Sequence, residues 1–212
     1  MGVQQFDRKL SLELVQGQDS IDLSKMHVTF QTKQTDLESP SNCVIRVFNL
    51  SDETTKTIKG QFSRVVLQAG YVGQFGVVFT GTIKQFRQGR LNATDTYLDL
   101  LCADGDEAFN FAVVSKTLAS ANSAPADVVS AAVQAMNPHG VTEGYTMPFT
   151  GGILPRGKVL FGMARATLSQ QARTQNATWS INNGQVNMVP LDGYIPGEAV
   201  VLNAESGLIG RP

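Results

Sequence analysis

The stretch Ala69–Gly89, AGYVGQFGVVFTGTIKQFRQG, decides between two kinds of protein. Gly70, Gly73 and Gly76 fall three residues apart. A glycine-rich loop that cradles phosphate opens a helix, whose N-terminal amides meet the anion. Here the glycines run into Val77, Val78 and Phe79 and then Thr82 and Ile83, which are strand formers, and no Gly-Lys-Ser/Thr follows. The stretch reads as two strands joined by a turn, with the glycines as hairpin residues reaching positive φ. That directs attention away from nucleotide chemistry and toward a β architecture.

Its surroundings agree. Upstream, Leu10, Leu12 and Leu14 alternate with Lys9, Ser11 and Glu13, and Met26, Val28 and Phe30 alternate with His27, Thr29 and Gln31. Period two with one apolar face marks antiparallel strands. The runs CVIRVFNL (43–50), RVVLQAGY (64–71) and DTYLDLLCA (95–103) add three more. Only SDETTKTIKG (51–60) breaks the pattern: Ser51 suits an N-cap, Asp52 and Glu53 the first turn, Lys56 and Lys59 the last, and Gly60 a stop.

Beyond Asp104 the composition shifts. In SAPADVVSAAVQAMNPHG (123–140) the face Val128, Val129, Ala132, Val133, Met136 predicts a helix, with Ser123 as candidate N-cap and Asn137-Pro138 as its end. In RGKVLFGMARATLSQQART (156–174), Leu160, Met163, Ala164, Thr167 and Leu168 have helical spacing, which predicts a second helix with Arg156, Lys158, Arg165 and Arg173 largely on another face. In ATWSINNGQVNMVP (177–190) the Asn183-Gly184 pair sits between alternating apolar runs, a strong hairpin signal. The expected fold class is α+β, mostly β. An antiparallel barrel with one short helix should span 1–114, and a small α+β domain of two helices and a hairpin 115–192. Residues 193–212 should begin a second barrel or a C-terminal extension.

Bulk properties narrow the function. The chain has 212 residues, and its 17% of charged residues lies below the average of about 25%. A net charge of −1 argues against gripping duplex DNA, which needs a basic face. No basic segment followed by an apolar one opens the chain, so no signal peptide is expected, and no run approaches the roughly 18 apolar residues of a membrane helix. Cys43 and Cys102 lie in apolar strand-like runs and are expected to be buried thiols. His27 and His139 have no partners at metal-ligand spacing. Asp104, Asp106 and Glu107 could serve a hydrolase as acid and base, or simply form an Asp-Gly turn capping the next segment. Trp179 and Tyr97 could serve as platforms in a carbohydrate-binding module, although aromatic residues amount to only 8%. No catalytic, cofactor or metal site is expected.

A family resemblance emerges from the ordered motifs. VIRVFNLSDETTKTIKG, VVLQAGY, GVVFTGTIKQF and LDLLCADGDEAF, followed by SAPADVVSAAVQAM, the 156–174 segment, ATWSINNGQVNMVP and AESGLIGRP, together resemble baseplate hub proteins of contractile-tailed bacteriophages. The resemblance implies a tail-tube-like barrel in a homotrimer. Its partners would be the tail tube protein, a central spike protein and other baseplate proteins, with no membrane and with DNA only as cargo in the lumen. In that family the chain continues past the equivalent of Pro212 into a second barrel. The resemblance places this chain in the virion, assembled in the host cytoplasm. Under it the long hairpin around Val77–Phe86 becomes the candidate subunit interface, through Val77, Phe79, Thr82, Lys84 and Phe86. A tail-associated peptidoglycan hydrolase and a carbohydrate-binding β module are the rivals.

Overall fold

The computed structural model describes residues 7–72, 74–120 and 123–197. Most of the segment expected to start a second barrel lies outside these residues. The chain builds two hydrophobic cores in succession.

The first core is a sheet with one layer of helix. Its strands are β1 (Arg8–Gln16), β2 (Asp19–Asp22), β3 (Val28–Lys33), β4 (Asn42–Phe48), β5 (Arg64–Tyr71), β6 (Gln74–Arg90) and β7 (Thr96–Ala103). They pair antiparallel in the order β2-β1-β5-β6-β7-β4-β3. Alternation places Leu12 and Leu14 of β1, Cys43, Ile45 and Val47 of β4, and Leu98, Leu100 and Cys102 of β7 on one buried face. Helix α1 (Asp52–Gln61) covers that face with Ile58, and Phe62 follows it inward. Ser51 caps it as expected, accepting from the Thr54 amide, but the helix runs through Gly60 and ends a residue later.

The sheet must curl. Its edges β2 and β3 are joined by Leu23–His27 alone. Five linking residues reach about 20 Å at full stretch. Seven strands laid flat would set the edges about 29 Å apart. Leu23 is itself buried, and its amide donates to the Leu12 carbonyl. The connection thus runs back across the end of the core and draws the edges together. Phe30, expected inside, is 38% exposed on edge strand β3.

The second core begins at Ala108, earlier than the expected break at 114. It contains α2 (Asp106–Phe111), β8 (Val113–Leu118), α3 (Pro125–Met136), β9 (Thr142–Thr146), β10 (Lys158–Met163), α4 (Ala164–Thr174), β11 (Ala177–Asn182) and β12 (Gln185–Pro190). Helices α3 and α4 pack between a β8–β10 ribbon and a three-stranded sheet ordered β11-β12-β9, in which β9 runs parallel to β12. Helix α3 follows the sequence expectation except at its start. Ala124 takes the cap position, and its amide donates to the Asp127 carboxylate at 2.6 Å. The predicted 156–174 helix is corrected. Its first part is strand β10, antiparallel to β8, and the helix starts only at Ala164. Leu160, Ala164 and Leu168 are all buried, but Leu160 reaches the core from a strand. Spacing of four satisfies both periods, and Val159-Leu160-Phe161 followed by Gly162 at φ 134° favours the strand. The 177–190 hairpin forms as read, with Asn183 at φ 54° and Gly184 at φ 73° in a two-residue loop whose twist suits the strands.

Candidate functional site

Val77–Phe86 is not itself a hairpin: the hairpin read from the sequence joins β5 to β6, and Val77–Phe86 lies inside β6. That strand has 17 residues and pairs with β5 along its first part and β7 along its second. The register skips Val78 against β5 and Lys84 against β7. Each bulge flips the alternation, so sequence spacing no longer tells which face a side chain takes. Val77 is 49% exposed. Phe79, two residues on, is fully in the core, and Phe86 packs against the same core. Thr82 is half-buried, its hydroxyl donating to the Ala103 carbonyl at 3.3 Å. Lys84 pairs with Asp106 at 2.8 Å. Phe79 is thereby corrected from interface to core, Phe86 is partly buried against that core, and the five residues do not form one surface. The glycine assignment changes too. Gly70 and Gly76 lie within paired strands and not at positive φ, and Gly73 lies outside the described residues.

The acidic cluster sits where the two cores meet. Asp104 follows β7 and is 3% exposed. Its two oxygens accept from the Gly184 amide at 3.0 and 3.2 Å, so the carboxylate of one core grips the hairpin tip of the other. Burial pushes its pKa up to about 6, while the Gly184 and Asn183 amides and the Arg64 charge pull the other way. Gly105 takes φ 65°, and an added Cβ there would lie 2.7 Å from Ile181 Cγ2. This is one place where glycine is needed for both conformation and space. Asp106 accepts from Lys84 and from Asn110, whose own oxygen accepts from Arg165. Three further ties join the units. The Ser41 hydroxyl meets Asn182 Oδ1 at 2.9 Å, Ser169 donates to Glu38 at 2.7 Å, and Thr178 donates to the Asp36 carbonyl at 3.0 Å. A polar cleft of about 300 Å³ remains beside the clamp, lined by Arg64, Thr82, Asp104, Glu107, His139 and Gly184 among others.

Chemically, Asp104 and Asp106 are committed to holding structure. Glu107 stands exposed at the start of α2. Cys43 and Cys102 are buried free thiols directly opposite each other across β4 and β7. Burial pushes Cys43 up to about 12 and raises Cys102 further still, which keeps both protonated and unreactive. Trp179 is 1% exposed and donates from its indole to Ser169, so it offers no platform to a sugar. Tyr97 lies under the Arg46 guanidinium at 4.1 Å, and Arg46 is held by Asp99 through two bonds. The basic residues 156–173 do not make one helix face, since Lys158 is in β10 and Arg165 lies over Phe109 at 4.8 Å. Among the described residues, no three His, Cys, Asp or Glu gather as metal ligands would.

No family model and no curated protein matches the chain. Solved structures do match. A 43 kDa tail protein of prophage MuSo2 from Shewanella oneidensis aligns over 85% of this chain and 54% of its own, with TM-score 0.58 and 9% identity. The fold is that of a phage tail protein. The tail protein from Neisseria meningitidis MC58 shares this tail-type fold over 87% of this chain and 51% of its own, with TM-score 0.54 and 13% identity. The chain spans about half the length of these two proteins. The tail-type fold includes both cores of this chain, because an alignment over 85% or more cannot be confined to one of them.

Proposed function

We propose that the chain is a structural part of a phage tail, and within it a baseplate hub protein joining the tail tube to the central spike through ring-forming barrel domains. It acts in the virion as a homotrimer beside other baseplate proteins, with DNA passing only as cargo. The observation that carries this is the fold of this chain, a curled seven-stranded sheet followed by a clamped α+β unit, which aligns over 85% and 87% of its length with two tail proteins. A role in contact also fits acidic groups spent on joining the two units and a surface poor in charge.

The test is the location and copy number of the chain in purified tails. Tagged chain should appear at the end of the tube that carries the spike, at threefold copy number by quantitative mass spectrometry. Deleting its gene should leave tails without an assembled baseplate. Its absence from tails overturns the tail role, and a sixfold copy number overturns the hub assignment.

A further inference from the structure

The β8–β10 ribbon turns an apolar face outward. In its register Val113 opposes Met163, Ser115 opposes Phe161 and Thr117 opposes Val159. The alternate residues Val114, Leu118 and Leu160 point into the second core. The outer face therefore consists of Val113, Ser115, Thr117, Val159, Phe161 and Met163. Phe161 is 83% exposed, Val159 73% and Val113 53%, and Phe111, two residues before Val113, is 68% exposed. Val113 lies diagonally across from Phe161 in the register and Val159 lies two residues from Phe161 on the same face, so Val113, Phe161 and Val159 form one stripe.

Two properties of the stripe say what covers it. The first is size. The three side chains present on the order of 350 Å² of apolar surface, the size of the largest patch on a typical soluble chain, which is often functional. That is the right amount for the centre of an interface burying roughly 800 Å² per partner. The second is charge. The ribbon's two lysines lie on its other side, Lys116 reaching Gln134 of α3 and Lys158 sharing the alternation of Leu160, so the outer face carries no charge. At a symmetry axis each residue meets its own equivalents, and any charge there would face a like charge. An uncharged apolar face suits that geometry and offers a charged partner nothing to pair with. Among the described residues, neither β8 nor β10 pairs with a third strand.

We infer that copies of this chain meet through this ribbon face about a shared symmetry axis, with Phe161 at the centre of the contact. The inference rests on the ribbon alone and assigns a surface that the tail proposal does not.

Sedimentation velocity and native mass spectrometry of the purified chain, up to about 100 µM, should show self-association. Changing Phe161→Ser with Val159→Ser should weaken it by about tenfold or more, with the melting temperature unchanged because both side chains are exposed. Ser115→Cys should give a disulfide-linked dimer under mild oxidation, and Lys9→Cys on the far sheet should not. A wild-type chain that stays monomeric, or an assembly that the double variant leaves intact, overturns the inference. So does a melting temperature that falls with the double variant while association of the folded fraction is unchanged. Incorporation into tails reports on the proposed function separately: a chain that self-associates but never enters tails keeps this interface and loses the tail role.

Discussion

Asp104 is a carboxylate whose ionisation opposes the fold that uses it. Its pKa is raised to about 6 from 3.8, so the folded chain holds this proton where the unfolded chain has released it. Stability from this group is present below about pH 4 and is lost as the pH rises through about 6, a change of about 3 kcal/mol at most. Urea unfolding of the wild type and of Asp104→Asn should therefore diverge in slope against pH between 4 and 6. The wild type loses stability from this group over that window, and the Asn variant, which keeps an acceptor for the Gly184 amide, does not. Equal slopes would show that the carboxylate is better solvated than its burial implies. Gly105 gives a second test at the same joint. Gly105→Ala places a methyl against Ile181 at a left-handed φ and should destabilise by about 1–3 kcal/mol, read from the same melts.

The strand β6 shows at the scale of the element why spacing alone misleads. Phe79→Ala should cost about 3–5 kcal/mol, because the ring is wholly within the first core. Val77→Glu should leave the melting temperature nearly unchanged, and it is the better probe of whether β6 meets a neighbour: incorporation into tails should fall if it does. In the second core, Leu160→Ala and Leu168→Ala should each cost about 2–5 kcal/mol, one from a strand and one from a helix. Strands β1, β3, β4, β5, β6 and β7, helices α1 and α3 and the Asn183-Gly184 hairpin were legible in the sequence because local period, caps and turn residues specify them, whereas the short strands β2, β8 and β9 carry too little pattern of their own. The bulges at Val78 and Lys84 were not legible either, since they exist only against β5 and β7. Strand β10 was hidden because Leu160, Ala164 and Leu168 satisfy a helical period whichever element holds Leu160. The clamp was hidden for another reason. Asp104 and Gly184 are 80 positions apart, and only the packed structure turns an Asp-Gly turn signal and a hairpin signal into one contact.

The whole molecule is two cores locked at their joint by the Asp104 grip and by the ties from Ser41, Glu38 and Asp36 to the β11 hairpin and α4. The joint should make them unfold together, and Asp104→Ala should separate the single transition into two by calorimetry. The five-residue connection Leu23–His27 acts on the same scale. Because it ties both edges of the sheet covalently, curvature is set by the chain before any neighbour arrives. A subunit with fixed curvature is preorganised: in the proposed ring it would enter as a finished wedge, with little conformational entropy left to lose on assembly. Lengthening that connection with flexible residues would let the sheet relax, and it should slow closure of the proposed ring more than it weakens the isolated fold.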